Sequence, residues 1–504
     1  MRQAVTEILR ESKAATRRRR DGARTRAGGR RRAAFLTTLV APALLAGCAA
    51  LALDSGPARE EVAHLVRERS GRGVTPAFPS QDRRAVERRI RSLLTNGLTV
   101  DETVEVMLLQ NRDLRALYTD LDVSQSDVVQ ATLLHNPVLD AVAGVPIGGG
   151  TADISFGVAM DVIDLLYVPL RRQVAAAMLE RTKLRVAGEV LDFVWRTQIA
   201  YYRHQADEQM LEVRRQVGAS TAASFELTRR LREAGNVTAL ALASEESIAE
   251  EAKLDVSAAE IDARESRERL NVLMAFSDPV ASDWKTASSR LPDPPADALD
   301  LRRIEARASE RSLDLAAAAQ LVTAAGRVLG LDRADALFPE TVVGGRSERK
   351  RSTWQLGPTL TLPIPLFDRG QARLARARAE LERARELRQA LAVRIRSAAR
   401  SARDRVAGHR DRALHYRNVM LPVRERVLRE TTLQYNAMQV GPLDVLRAEE
   451  QQITTAERYI EALTSYWTAR ADLGLVLAGR LPPGEPAPAP PALEQLPRFP
   501  FPAL

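Results

Sequence analysis

The stretch Trp354-Gln355-Leu356-Gly357-Pro358-Thr359-Leu360-Thr361-Leu362 decides how the rest of the chain is read. Trp354, Leu356, Leu360 and Leu362 fall on one parity together with the ring of Pro358. Gln355, Gly357, Thr359 and Thr361 fall on the other. A period of two predicts a strand with one apolar and one wet face. About 9–11 residues suffice for a tilted barrel strand to cross a bilayer. Pro363 to Gly370 then predicts a rigid bend, and from Gln371 to about Gln439 the pattern is helical. At 1.5 Å per residue such a helix spans roughly 100 Å.

The first half repeats this order. Thr99-Val100-Asp101-Glu102 is a capping box opening a helix that carries Val104, Met107, Leu108, Leu114 and Leu117 at helical spacing. Asn136-Pro137 ends that pattern, because the residue before proline avoids the helical region. Leu139, Ala141, Ala143, Val145 and Ile147 form a weakly apolar parity of a first strand. In a second strand, Ile154, Phe156, Val158, Met160 and Val162 alternate with Asp153, Ser155, Gly157, Ala159 and Asp161. Carboxylates on one parity suit a wet lumen and would be costly in lipid. A helix of roughly 100 Å follows from about Pro169 to Glu233. Ala234 to Thr238 breaks it, and a second helix returns to about Ala275.

In the second half, a helix from about Ala296 to Leu329 precedes a third strand, Phe338 to Gly345. Arg346 to Arg351 reads as an exposed hairpin loop before the fourth strand. Pro422 predicts a kink in the long helix. After Gly441-Pro442 a helix returns to about Ala478. Gly157 and Gly357 are 357−157 = 200 residues apart; Val237 and Val440, like Leu240 and Leu443, are 203 apart. The chain is a tandem repeat.

The bend Pro365-Leu366-Phe367-Asp368-Arg369-Gly370 into an Ala-rich helix resembles the second-half signature of the TolC-like outer-membrane efflux proteins. The segment from Tyr435 to Val440-Gly441-Pro442-Leu443-Asp444-Val445 resembles that family's helical tip, and the likeness runs over roughly residues 98–480. Two departures stand out. Asn111-Arg112-Asp113-Leu114 has Arg in place of Pro, and the first tip has Asn236 between Gly235 and Val237.

The formal charge of +9 is local. Residues 1–48 hold 12 Lys+Arg against 3 Asp+Glu, leaving 74−12 = 62 basic against 65−3 = 62 acidic in the remainder. A nucleic-acid partner is therefore not expected. Aromatics at 4 % are too few for an ordinary mixed core, whereas abundant Ala, Leu, Glu and Arg suit long helices. The apolar run Ala33 to Ala46 follows two arginine clusters and ends in Leu45-Ala46-Gly47-Cys48. It is too short for a membrane helix and fits a signal-peptide core. It is similar to a bacterial lipoprotein signal, which implies acylation of Cys48, the only cysteine. Ala49 behind it implies outer-membrane sorting, and several acyl chains would anchor the chain firmly.

These readings give an expected organisation: signal peptide 1–48, tether 49–97 with a short helix near Arg84–Leu94, first efflux repeat 98–276, linker 277–295, second efflux repeat 296–480 and a Pro-rich tail 481–504. The fold class expected is mainly α with a membrane β-barrel portion. Four strands per chain cannot close in lipid, since an open edge leaves backbone groups unpaired. Two copies would give eight strands with a filled interior and three would give twelve with room for a lumen. The resemblance implies three, with the long helices forming a periplasmic tunnel.

The resemblance further implies a passive export conduit working with a periplasmic adaptor and an inner-membrane pump of the resistance–nodulation–division (RND) or ATP-binding-cassette (ABC) type. The adaptor would meet Gly235, Asn236, Val237 and Thr238 at one tip, and Val440, Gly441, Pro442 and Leu443 at the other. Gly and Pro are also what any helix–helix turn requires. Constriction near the tips would fall on Arg426, Arg429 and Glu430, which could equally lie on a solvated face. Neither a cofactor nor a metal is expected. Histidines 64, 135, 204, 409 and 415 form no metal-ligand pattern, and no nucleophile elbow occurs. Gly148-Gly149-Gly150 lacks the Gly-Lys-Ser/Thr of a phosphate loop. Glu245, Glu246, Glu250 and Glu251 read as a solvated helix face. The competing class is a pore-less periplasmic coiled-coil lipoprotein.

Overall fold

A computed structural model describes residues 54–71, 83–145, 147, 152–277, 279–295, 301–337, 340–350 and 353–483. Cys48, the signal segment and most of the Pro-rich tail lie outside these residues. The described chain is mainly helical with one antiparallel sheet of four strands in the order β1-β2-β3-β4. The strands are β1 Val138–Gly144, β2 Asp153–Asp161, β3 Val342–Lys350 and β4 Thr353–Thr361. Their central seam, β2 with β3, joins the two halves of the repeat.

Two helical hairpins leave the sheet. In the first half, α5 is Asp164–Glu233 and α6 is Ala239–Met274. In the second, α9 Gln371–His415 passes through a π turn, Tyr416–Met420, into α10 Leu421–Asn436; α11 Pro442–Ala478 returns. At 70 residues α5 is roughly 105 Å long. The halves pack mainly through α5, which lies against α11 and against the second-half segment Leu313–Leu337, while α9 packs on α11 within the second half. Buried alanines at Ala398, Ala399, Ala402 and Ala413 let the backbones approach closely. No described helix is long and apolar enough to cross a membrane.

Shorter helices pack on the half of the hairpins nearer the sheet: α1 Gly56–Ser70, α2 Arg83–Leu93, α3 Val100–Gln110, α4 Arg112–Thr132, α7 Ile304–Arg311 and α8 Leu313–Leu337. The Thr99–Glu102 capping box forms, each residue accepting the other's backbone N–H. At Asn111 the backbone turns extended and its side chain accepts from Leu114 N at 2.8 Å, so one expected helix becomes α3 and α4.

Several expectations change. The stretch expected as a tether contains α1, whose Val62 and Val66 are buried against α3, α4 and α5. The stretch expected as a linker is docked. Trp284 is 3 % exposed, its indole N–H donates to Asn271 Oδ1 at 2.7 Å, and Leu98 bonds along Lys285 and Ala287. The expected helix 296–329 is instead α7 and α8, broken at extended Ser312. Arg346 to Lys350 belongs to β3 and is not a hairpin loop. Pro422, where a kink was expected, stands in the first turn of α10 directly behind the π turn, where its missing donor is accommodated.

Candidate channel wall and helical tips

The register sorts the sheet into two chemically distinct faces. Asp140 pairs with Gly157, Gly157 with Arg346, and Arg346 with Gly357, forming one row on the polar face. The same face carries Ser155, Glu348 and Gln355 in the next row, and Thr359 in another. The opposite face carries Leu139, Phe156, Val158, Val343, Leu356 and Leu360. These apolar side chains are exposed in the single chain, Leu356 to 85 %. Ser347 and Arg349, near the hairpin end of β3, interrupt this face; the rest is an exposed apolar surface that suits hydrocarbon better than water. Phe156 stacks on Trp354 with centroids 6.4 Å apart.

Glycine has a geometric role in the wall. Arg346 Nη2 donates to Asp140 Oδ1 at 3.4 Å across the intervening Gly157. A Cβ on Gly157 would stand 1.9 Å from Asp140 Oδ2. The charged pair thus lies flat over a strand that has no side chain there. The outer edges, β1 and β4, have no partner strand among the described residues.

Where strand becomes helix, polar groups hold the bend and apolar groups face outward. Asp164, 2 % exposed, accepts from His135 N at 3.0 Å and pairs with Arg171 Nη1 at 2.7 Å. Burial opposes ionisation of this carboxyl. The His135 amide and Arg171 outweigh that and hold it below the ordinary carboxylate range. Nothing in the spacing singled out Asp164; only its place behind an alternating strand hints at a role. In the second half, Gly370 has φ +75° and its N–H bonds Asp368 Oδ1 at 2.8 Å. Pro365, Leu366, Phe367, Asp368 and Arg369 form the exposed bend before it, with Phe367 92 % exposed. Leu165 and Leu166 are the exposed counterparts in the first half.

Both tips lie at the far end of the hairpins. In the first, Gly235 takes φ +79°, Arg232 Nη1 donates to Val237 O at 2.9 Å, and Thr238 Oγ1 accepts from Ala241 N. Asn236 N donates to Leu231 O. In the second, the left-handed position belongs to Met438, φ +56° and 94 % exposed. Val440 precedes Gly441, whose N–H meets Asp444 Oδ2 at 3.1 Å; Pro442 and Leu443 open α11. Arg426, Arg429 and Glu430 are exposed on α10. Among the described residues no group of three or more metal-ligating side chains occurs.

No family model matches the chain, and no curated protein is similar to it. Solved structures are similar over most of their length. A membrane protein from Pseudomonas aeruginosa superposes with a TM-score of 0.63 at 21 % identity, covering 75 % of this chain and 93 % of that one. The Campylobacter jejuni CmeC outer-membrane channel gives 0.61 at 14 % identity, covering 77 % and 87 %. The Vibrio cholerae outer-membrane protein VceC gives 0.60 at 14 %, covering 76 % and 96 %. With four strands, two long helical hairpins and these likenesses, the chain has the fold of the TolC-like outer-membrane channels.

Proposed function

We propose that the protein is the outer-membrane channel of a tripartite efflux or type I secretion machine, a conduit that itself performs no catalysis. The observation that carries this reading is the two-faced sheet: an apolar face for lipid and a polar face with Asp140, Arg346 and Glu348 for water. Four strands with open edges are unsatisfied in hydrocarbon, so copies must join edge to edge. Three copies give twelve strands, enough for a lumen. The long hairpins then surround a tunnel that reaches across the periplasm. Cys48, acylated, tethers the chain to the outer membrane. Leu165, Leu166, Leu366 and Phe367 form an apolar belt where strand meets helix.

The tips Gly235–Thr238 and Val440–Leu443 dock a periplasmic adaptor, which links the channel to an inner-membrane pump of the RND or ABC type. The pump supplies the energy. Cofactor, metal and nucleic acid play no part in this reading. The competing pore-less scaffold would need no alternating strands. Fractionated membranes separate the two: a channel is a heat-resistant oligomer in detergent with strand signal, while a scaffold dissociates and is helical alone.

A further inference from the structure

Near the tips the helices pack side by side in the order α6, α5, α11, α10. α6 and α10 are therefore the two margins of this layer. On each margin, the face turned away from its neighbour carries an unpartnered seven-residue repeat. On α6 it runs Ser247, Glu251, Leu254, Ala258, Ile261, Glu265, alternating steps of four and three, all exposed. The opposite side of α6, with Ala249, Ala252, Ala259 and Ser266, is buried. Running from the π turn along α10, the repeat is Val419, Val423, Arg426, Glu430, Leu433, with steps of four, three, four and three, again all exposed. Such spacing is the seam of a coiled coil.

The two seams also match in charge. α6 holds nine carboxylates against four basic residues. The stretch from the π turn through α10 holds four arginines against two glutamates. Arg417 is spent within the chain on Asp293 at 3.3 Å, and Arg424 on Gln451 Oε1 at 2.5 Å. Arg426 and Glu251 have no ion-pair partner among the described residues.

Height along the bundle agrees as well. Arg424 meets Gln451, Ser220 meets Glu449 at 3.0 Å and Ser224 meets Glu245 at 2.8 Å. Stepping through these contacts puts Val423 and Arg426 level with the stretch of α6 that holds Glu251 and Leu254. Rotation about an axis parallel to the helices preserves height. In a ring, one copy's α6 margin then faces the next copy's α10 margin at matching levels, a heterologous contact that closes.

We propose that subunits join through this seam, with Leu254 packing on Val423 and Glu251 pairing with Arg426 of a second copy of the chain. The proposal rests on the trimeric channel reading. It removes Arg426 from the group expected to constrict the lumen.

Charge exchange tests it on the full-length membrane protein. Glu251→Arg and Arg426→Glu are made singly and together, and the trimer fraction is followed by native electrophoresis on dilution in mild detergent. Each single change should raise the concentration of half-dissociation by about tenfold, because like charges then meet at every seam. The double exchange should restore it. A second pair, Leu254→Cys with Val423→Cys, should give covalent dimers and trimers on oxidation, while either cysteine alone should not. A wild-type trimer that ignores both exchanges and forms no crosslinks overturns the seam and leaves the channel standing. A wild-type monomer in lipid overturns both.

Discussion

At the scale of single residues, the two tips solve one backbone problem differently. Gly235 and Met438 occupy equivalent left-handed positions, 438−235 = 203 residues apart. A residue with a Cβ is strained there by roughly 1–2 kcal/mol, and only glycine escapes. Met438→Gly should therefore protect the backbone amides of the second tip by about 0.5–1 kcal/mol in hydrogen exchange, while Gly235→Ala should lose about 1 kcal/mol at the first. Asp164 should govern part of the acid limb of stability. Its folded pKa lies below the unfolded value, so its contribution is present above the ordinary aspartate value near pH 4 and is lost as pH falls through the lower folded one. Melting of Asp164→Asn should be lower than wild type at neutral pH, and the gap should close on acidification. The Gly157–Gly357 pair was legible in the sequence because the alternating strands around it repeat after 200 residues. Asp164 was not, since a carboxylate after a strand carries no spacing of its own until His135 and Arg171 arrive from elsewhere in the fold.

At the scale of elements, β4 and β2 declare themselves by alternation, but β3 does not. Its Arg346 and Glu348 look like loop residues until the register places them beside Gly157, Gly357 and Gln355 on the wet face. Amphipathic alternation finds a strand only when one face is apolar along its whole length, and in β3 Val342 and Val343 give way to glycines at 344 and 345 and then to charged residues. The faces predict opposite responses to charge. Leu356→Arg places a cation on the lipid face and should cost about 2–4 kcal/mol of membrane folding, whereas Gln355→Arg, one residue away, should be tolerated. Urea titration of the protein in lipid vesicles measures both. The helices show a similar division. Their lengths and turns follow from periodicity and the capping box, while the break at Ser312 and the π turn before Pro422 arise from packing. The docking of 279–295 depends on Trp284 filling a pocket beside Leu98, Tyr201 and Leu270, a tertiary event in a stretch whose composition reads as loop.

At the scale of the whole molecule, the two halves are locked together close to the end of the second repeat. Arg480 binds Asp192 of α5 through Nη2 at 2.8 Å and also pairs with Asp314 of α8. Its guanidinium lies against Gly188, where a Cβ would come within 3.1 Å of its side chain. Removing one of its two carboxylates leaves the largely buried Arg480 with Asp314 alone, so Asp192→Ala should destabilise the chain by about 1–3 kcal/mol in chemical unfolding. At the opposite end, Val440→Asp with Leu443→Asp should leave the trimer intact yet abolish export in cells, if the tips hold the adaptor. On the proposed function, the assembled chain encloses a water-filled path. Single-channel recording of the purified, lipidated trimer in a planar bilayer tests that claim most directly. Unitary current steps from the trimer are the predicted result. A folded trimer, inserted in the membrane, that carries no current at any applied potential would contradict it.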